Sequence, residues 1–119
     1  MFLTLAHTKL DVYNVTRLFV KECYSVSKLL PVEERYNMAQ QLKRAVLSIQ
    51  LNIAEGSSRK SNSERNRYYE IARGSLIEID SIMDAGEDLN YWNKTDLEKF
   101  GDYMIRVFMM LSKMISHSN

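Results

Sequence analysis

The sequence predicts an all-α fold, an antiparallel up-down-up-down four-helix bundle in one domain of residues 1–119. Apolar residues recur at spacings of three and four through four long segments, as on one face of a helix. Only four glycines and one proline are present, too few for a sheet-rich fold with many tight turns. The connections between the segments are short, so consecutive helices are expected to run antiparallel.

The first two helices are predicted over about residues 9–30 and 31–55. Pro31 is expected to close the first, because the residue before a proline is disfavoured in the α region. It is also expected to open the second, because proline suits the first helical position. Gly56 is expected to end the second helix in a left-handed conformation, which carries no Cβ penalty for glycine.

The last two helices are predicted over about residues 62–89 and 96–116. Each begins with a capping box, at Ser61–Glu64 and at Thr95–Glu98, in which a hydroxyl and a carboxylate three residues apart satisfy each other's backbone donors. Within the third helix, Gly74 and Gly86 each cost about 1 kcal/mol relative to alanine. Close approach of neighbouring helices at both glycines is therefore expected.

The fourth helix carries more apolar surface than one face accounts for. Beside the face that includes Ile105 and Phe108, the residues Val107, Met109, Met110 and Met114 broaden it. Such a helix is either buried on several sides of the bundle or packs its surplus against another subunit. We expect the protein to be a homo-oligomer.

Composition places the chain among globular proteins, with 45% hydrophobic and 26% charged residues. No apolar run is long enough to cross a membrane, and no signal peptide is recognised, so a cytoplasmic location without membrane contact is expected. The single cysteine, Cys23, excludes an internal disulfide and is interpreted as a core residue.

Net charge is only +1, but it is unevenly distributed. Residues 1–73 hold 12 Lys and Arg against 7 Asp and Glu, whereas residues 74–119 hold 4 against 8. The basic half is able to attract phosphate; alternatively, the opposite charges attract neighbouring subunits to each other.

No constellation for catalysis is found. The histidines, His7 and His117, lie near the ends of the sequence and outside the Glu-x-x-His pattern of di-metal bundles. No phosphate-binding loop, nucleotide fingerprint or zinc motif is present. We therefore expect no metal, no cofactor and no enzymatic activity.

A polar stripe along the second helix, together with an acidic residue of the third, is a first candidate site. It consists of Arg44, Ser48, Asn52, Glu55 and Glu78. Because buried charges persist only when paired, these residues are interpreted as a network that sets the register of the central helices or a subunit contact. Contact with a ligand or RNA, or a simple solvated face, are the alternatives.

A basic cluster around the connection of the second and third helices is the candidate nucleic-acid site. It comprises Arg59, Lys60, Arg65, Arg67 and Arg73, with Tyr68 and Tyr69 among them. Arginine binds phosphate bidentately, and tyrosine stacks on unpaired bases. Loop solubility and pairing between subunits are the alternative explanation.

Two linked motifs resemble the bacterial four-helix-bundle family of 23S rRNA intervening-sequence proteins. That family shows RA-x-x-S-I-x-x-N-I-A-E-G, followed by I-A-x-G-S-x-x-E. The first motif is matched by Arg44, Ala45, Ser48, Ile49, Asn52, Ile53, Ala54, Glu55 and Gly56, and the second by Ile71, Ala72, Gly74, Ser75 and Glu78. The resemblance covers roughly residues 9–115.

The resemblance implies an antiparallel bundle that assembles into a ring, expected to be a pentamer. A related branch, the accessory variability proteins of diversity-generating retroelements, is strongly basic and binds nucleic acid, whereas this chain is nearly neutral. The expected function is a non-enzymatic, homo-oligomeric scaffold that contacts structured RNA. The alternative is an adaptor that recruits a protein partner, whose identity the sequence does not indicate, without nucleic-acid contact.

Overall fold

The computed structural model describes the backbone of residues 1–117 and the side chains of residues 1–115. Within them lie four α-helices: α1 Asp11–Ser27, α2 Met38–Ser57, α3 Asn62–Asp88 and α4 Glu98–His117. Each helix packs against the next, and α4 closes the bundle against α1. The molecule measures 44 × 30 × 22 Å, and a 27-residue helix such as α3 is about 40 Å long. The predicted four-helix bundle is confirmed.

The core consists of apolar residues from all four helices. The largest fully buried side chains are Phe19, Leu42, Ile49, Ile53, Leu76, Ile79 and Leu111. The rings of Phe19 and Phe100 lie 5.1 Å apart between α1 and α4. Cys23 is completely buried, and burial raises the pKa of its thiol, as fits the predicted core role.

The start predicted for the second helix is wrong. Pro31 is extended, with φ −68° and ψ 162°, and is followed by a short 3₁₀ turn at Val32–Glu34. The helix begins only at Met38, after α1 has already ended at Ser27. Residues 31–37 offer no apolar face to the bundle, and helical segments in proteins depend on such packing for stability.

The role predicted for Gly56 is also wrong. The helix continues to Ser57, and no glycine among the described residues has a positive φ. Gly56 is buried instead, where an added Cβ would lie 2.8 Å from the Tyr69 ring and 2.9 Å from Cβ of Tyr68. This glycine therefore permits α2 and α3 to approach closely.

The two glycines of α3 differ from each other. An added Cβ on Gly86 would overlap the ring of Trp92, whose Nε1 donates to the carbonyl of Met83 at 2.9 Å. The close approach at Gly86 is thus made by the Trp92 ring, which belongs to the α3–α4 connection and not to a neighbouring helix. Gly74 faces open space, so the close approach predicted there is wrong.

The two predicted capping boxes also differ. Ser61 Oγ accepts a hydrogen bond from the backbone N–H of Glu64 at 3.1 Å, so Ser61 caps α3 as predicted. Thr95 lies in a 3₁₀ turn, where its hydroxyl donates to Oδ1 of Asn93 at 2.9 Å. The hydroxyl is used in that turn, and α4 begins later, at Glu98.

Helix α4 is not buried on several sides. Phe100, Val107, Leu111 and Ile115 face the core. The exposed fractions of Ile105, Phe108 and Met109 are 59%, 38% and 65%. The surplus apolar surface expected from the sequence therefore lies on the outside of the bundle.

Candidate nucleic-acid interface

The connection between α2 and α3 is held together by one of the predicted phosphate-binding arginines. The guanidinium of Arg65 donates from Nη1 to the carbonyls of Arg59 and Lys60, at 2.9 Å each. Its Nη2 donates to the side chain of Asn62. These carbonyls follow the C-terminus of α2, where backbone acceptors lack helical partners. Arg65 stabilises the turn, and its fork is occupied.

Arg59 is engaged as well. Its Nη2 donates to Oη of Tyr68 at 3.0 Å and lies 3.2 Å from a carboxylate oxygen of Glu55. The guanidinium carbon also lies 5.1 Å from the centroid of the Tyr68 ring, within cation–π range. Both groups of this ion pair are well exposed, so solvent screens it and it contributes little to stability. The pairing still lowers the charge that Arg59 offers to a phosphate.

Two residues of the predicted cluster lie outside the basic surface. Tyr69 is only 4% exposed and packs on Gly56, and burial is the main cause that raises its pKa. A buried ring is not accessible to a base, so the stacking predicted for Tyr69 is wrong. Arg73 donates to Oγ of Ser112 on α4 at 3.3 Å and so lies on the other side of α3.

What remains accessible is a smaller basic surface. Lys60 and Arg67 are exposed at the start of α3, and the Arg67 guanidinium carbon lies 5.8 Å from the centroid of the Tyr68 ring. Tyr68 is half-buried between Arg59 and Arg67. We call Lys60, Arg67 and Tyr68 the basic surface. Tyr68, rather than Tyr69, is the aromatic residue that it contains.

The polar stripe forms a hydrogen-bonded group only in its centre. Nδ2 of Asn52 donates to the carbonyl of Ser48 at 2.8 Å and lies 3.1 Å from its Oγ. Across the helix interface, Oγ of Ser75 donates to Oγ of Ser48 at 3.1 Å. This contact joins α2 to α3 at a buried serine, Ser75, which was not among the residues predicted for the network.

The charged residues of the stripe are separate from that group. Arg44 and Glu78 are both exposed and line a polar groove of about 440 Å³, but no ion pair joins them. The groove also contains Tyr36, Gln40 and Gln41, which no sequence motif indicated. The predicted network of five residues is therefore divided, since Glu55 pairs with Arg59 instead.

A second groove, between α3 and α4, is apolar. We call it the apolar groove; it has a volume of about 280 Å³ and is lined by Leu76, Ile77, Asp80, Met104, Ile105, Phe108 and Met109. Ile77 is 59% exposed at its edge. The surplus apolar surface of α4 was visible in the sequence. Ile77 lies off the apolar face of α3, so no sequence pattern indicated that it borders a groove.

Opposite charges lie at opposite ends of the bundle. The basic surface is at the α2–α3 end, whereas Asp84 and Glu87 lie near the α3–α4 end. Lys94 compensates part of the acidic charge, at 2.5 Å from Asp84 and 3.8 Å from Glu87. The hydrogen bond to Asp84 is the main cause that raises the pKa of Lys94. The basic surface and this acidic region therefore differ in position along the axis of the bundle.

Residues 8–113 match the family described as 23S rRNA-intervening sequence protein. The chain belongs to this family. The match spans all of α1, α2 and α3 and most of α4, together with the basic surface and both grooves. A search of curated proteins gives no significant match to this chain.

Metal-ligand clusters and membrane-spanning helices are absent from the described part of the chain. No group of three or more His, Cys, Asp or Glu residues there is arranged to hold a metal ion. No helix within residues 1–117 combines the length and the apolar character needed to cross a membrane.

Proposed function

We propose that this chain is a non-enzymatic, homo-oligomeric scaffold that contacts structured RNA through its basic surface. The observation that carries the scaffold is the apolar groove, where Ile105, Phe108 and Met109 are exposed beside Ile77. Contiguous apolar surface of this kind marks an interaction site in a water-soluble protein. Membership in the family and the resemblance to ring-forming relatives support a second copy as the partner, in a pentamer.

Burial of the apolar groove would contribute to association but would not drive it alone. Complete burial of one large apolar side chain contributes about 1.5–3 kcal/mol. The four exposed side chains of the groove, each already partly covered, together offer several kcal/mol. Association must also offset lost rotational and translational freedom, which takes at least about 4 kcal/mol. Further contacts beside the groove are therefore required for a stable assembly.

The scaffold is tested by mass in solution. Light scattering at micromolar concentration should give an oligomer, of about 70 kDa for five chains of 13.9 kDa. Phe108→Gln combined with Met109→Gln should shift the mass towards the monomer, because both polar side chains would have to be buried. Val32→Gln, at an exposed apolar residue of the α1–α2 connection, is the matched control. A monomer mass for the unaltered protein would contradict the proposal.

The RNA contact is supported by the accessible charges of Lys60 and Arg67 and by the ring of Tyr68 between two arginines. An oligomer would present several copies of this small surface, which raises avidity without new contacts in any one subunit. Contact through phosphates would make the affinity fall steeply with salt.

Binding to structured RNA over a salt series tests this contact. Lys60→Ala combined with Arg67→Ala should weaken binding and lower the slope of log affinity against log salt by about 1–2. The matched control is Lys28→Ala with Arg35→Ala, two exposed basic residues at the other end of the bundle. No binding by the unaltered protein at low salt would remove RNA from the proposal and leave the scaffold.

The acidic α3–α4 end favours the adaptor as a second candidate. Asp88, Asp96 and Glu98 are exposed there beside the partly compensated Asp84. Such a surface suits a basic protein partner. A defined protein that copurifies after nuclease treatment, and is lost when Asp88 and Asp96 are changed to Asn, would support the adaptor. Copurification that depends on RNA would contradict it.

A further inference from the structure

We infer that the apolar groove is occupied by residues 1–5 of a neighbouring copy of the same chain. We call these residues the arm. This inference rests on the proposed scaffold, for which it names the contact between subunits. The arm reads Met-Phe-Leu-Thr-Leu, and all four of its apolar side chains are exposed. Phe2 is fully exposed, at 108% of its reference area.

The base of the arm is held while its tip is not. The carbonyl of Leu5 accepts hydrogen bonds from the backbone N–H and the hydroxyl of Thr8, at 3.1 and 2.8 Å. A 3₁₀ turn at Ala6–Lys9 follows, and the His7 ring packs edge-on against Tyr13 with centroids 4.9 Å apart. The base of the arm is thus fixed on its own bundle, whereas the side chains of Met1, Phe2 and Leu3 are exposed.

The arm does not reach the groove of its own chain. Leu5 lines a cavity with Leu51 and Tyr68, on the α2 side of α3. Ile77 is nine residues beyond Tyr68, about 13 Å further along the axis. The groove also lies on the α4 side of α3, roughly two interhelical spacings of 8–10 Å away. Four residues from Leu5 to Met1 span at most about 14 Å, so the contact has to be made between chains.

The two surfaces fit each other in chemistry and extent. The groove contains one charged residue, Asp80, and otherwise apolar side chains, and its volume of about 280 Å³ suits side chains such as Phe2 rather than a whole helix. One buried phenylalanine removes about 150–250 Å² from water. Met1, Phe2 and Leu3 would bury their exposed apolar area against the groove as one part of the interface, since stable interfaces bury at least about 1,200 Å² in total.

The arm and the groove are different surfaces on different sides of the bundle. Their contact is able to repeat from one subunit to the next and to close into a ring if the rotation allows, as the proposed pentamer requires; reciprocal exchange of two arms would give a dimer instead. Each subunit then offers one arm and one groove. The arm thereby supplies contacts beyond the groove residues, which the energetics of the scaffold require.

Disulfide crosslinking between chains tests the inference. One variant carries Leu3→Cys, and a second, made heavier by a tag, carries Met109→Cys. After the two are unfolded together, refolded and treated with dilute copper–phenanthroline, a covalent dimer with the mass of one chain of each kind is expected. The unaltered protein is the control, because its Cys23 is buried with a raised thiol pKa and should remain uncrosslinked.

Each outcome decides the inference. Oligomers without the mixed crosslink would overturn the arm contact and leave the scaffold, whereas monomers of the unaltered protein would overturn both. A link within a single chain that carries both cysteines would place the arm in its own groove and overturn the inference. Independently, Phe2→Ser should weaken association at least about tenfold. Val32→Ser, at an exposed residue of the opposite end, should not.

Discussion

Helix α3 has two sides that differ in how they are packed. On the α2 side, Oγ of Ser75 lies 3.1 Å from Oγ of Ser48, and Gly56 brings the helices so close that Tyr69 is buried. On the α4 side, Ile77 and Phe108 border a groove that is open to solvent. The same helix therefore packs tightly against α2 at Tyr69 and Ser75, whereas its contact with α4 leaves an open apolar groove.

This difference separates stability from assembly. Around Ser48, Ser75 and Gly56 the α2–α3 interface is closely packed, and its polar groove lies apart from them, at the exposed residues Arg44 and Glu78. The groove between α3 and α4 exposes apolar side chains that do not stabilise the folded monomer. Such surface contributes to stability only when a partner covers it. Substitutions on the α2 side should therefore change the free energy of unfolding, whereas those on the α4 side should change association.

The largest expected contrast is between two isoleucines of α3. Ile79→Ala removes a completely buried side chain and should lower the free energy of unfolding by about 2–5 kcal/mol. Ile77→Ala, at the edge of the groove, should lower it by no more than about 0.5 kcal/mol. Urea unfolding at concentrations where the protein is monomeric measures both. Equal losses would show that the groove is already closed in the monomer.

A smaller contrast concerns the glycines. Gly56→Ala should destabilise by about 1–2 kcal/mol, because its Cβ would lie 2.9 Å from Cβ of Tyr68 and force the two helices apart. Gly74→Ala meets nothing within 4 Å and should stabilise the monomer by up to about 1 kcal/mol through helix propensity. Thermal unfolding of the two variants measures the sign of each change in stability. A stabilising Gly56→Ala would mean that the interface is looser than the structure shows.

The smallest contrast compares two serine hydrogen bonds. Ser75→Ala removes a buried bond between α2 and α3 and should cost about 1 kcal/mol. Ser112→Ala removes a longer hydrogen bond, of 3.3 Å, in which Ser112 Oγ accepts from the half-buried Arg73. Its loss should lower the free energy of unfolding by only about a few tenths of a kcal/mol. These two hydrogen bonds lie on opposite sides of α3. Chemical denaturation of the two variants therefore compares the stability that each side contributes. A larger loss at Ser112 would reverse the comparison.

Much of the fold was predictable, because the apolar periodicity of each helix is a local property. The buried face of α2, with Leu42, Ile49 and Ile53, and the cap at Ser61 follow from spacing and residue type alone. The start of α2 was missed because proline suits both a helix start and an extended residue, and only the absence of packing around Val32 selects the latter.

The candidate site was less predictable. The sequence indicated a basic cluster, but it assigned the same role to Arg65, which binds backbone carbonyls, and to Arg67, which is exposed. Both are arginines near the start of one helix, and no local pattern distinguishes them. Their difference depends on which acceptors lie within about 3 Å once the chain has turned between α2 and α3.

The sequence by itself determined the helices, the direction of their apolar faces and the surplus apolar surface of α4, because these depend on periods of a few residues. Tertiary structure alone decided that Tyr69 is buried, that Gly56 is a contact point and that Gly74 is not. It also decided that the surplus of α4 joins Ile77 in a groove. Such properties depend on the distances between helices, which packing of the whole bundle sets and no segment encodes alone.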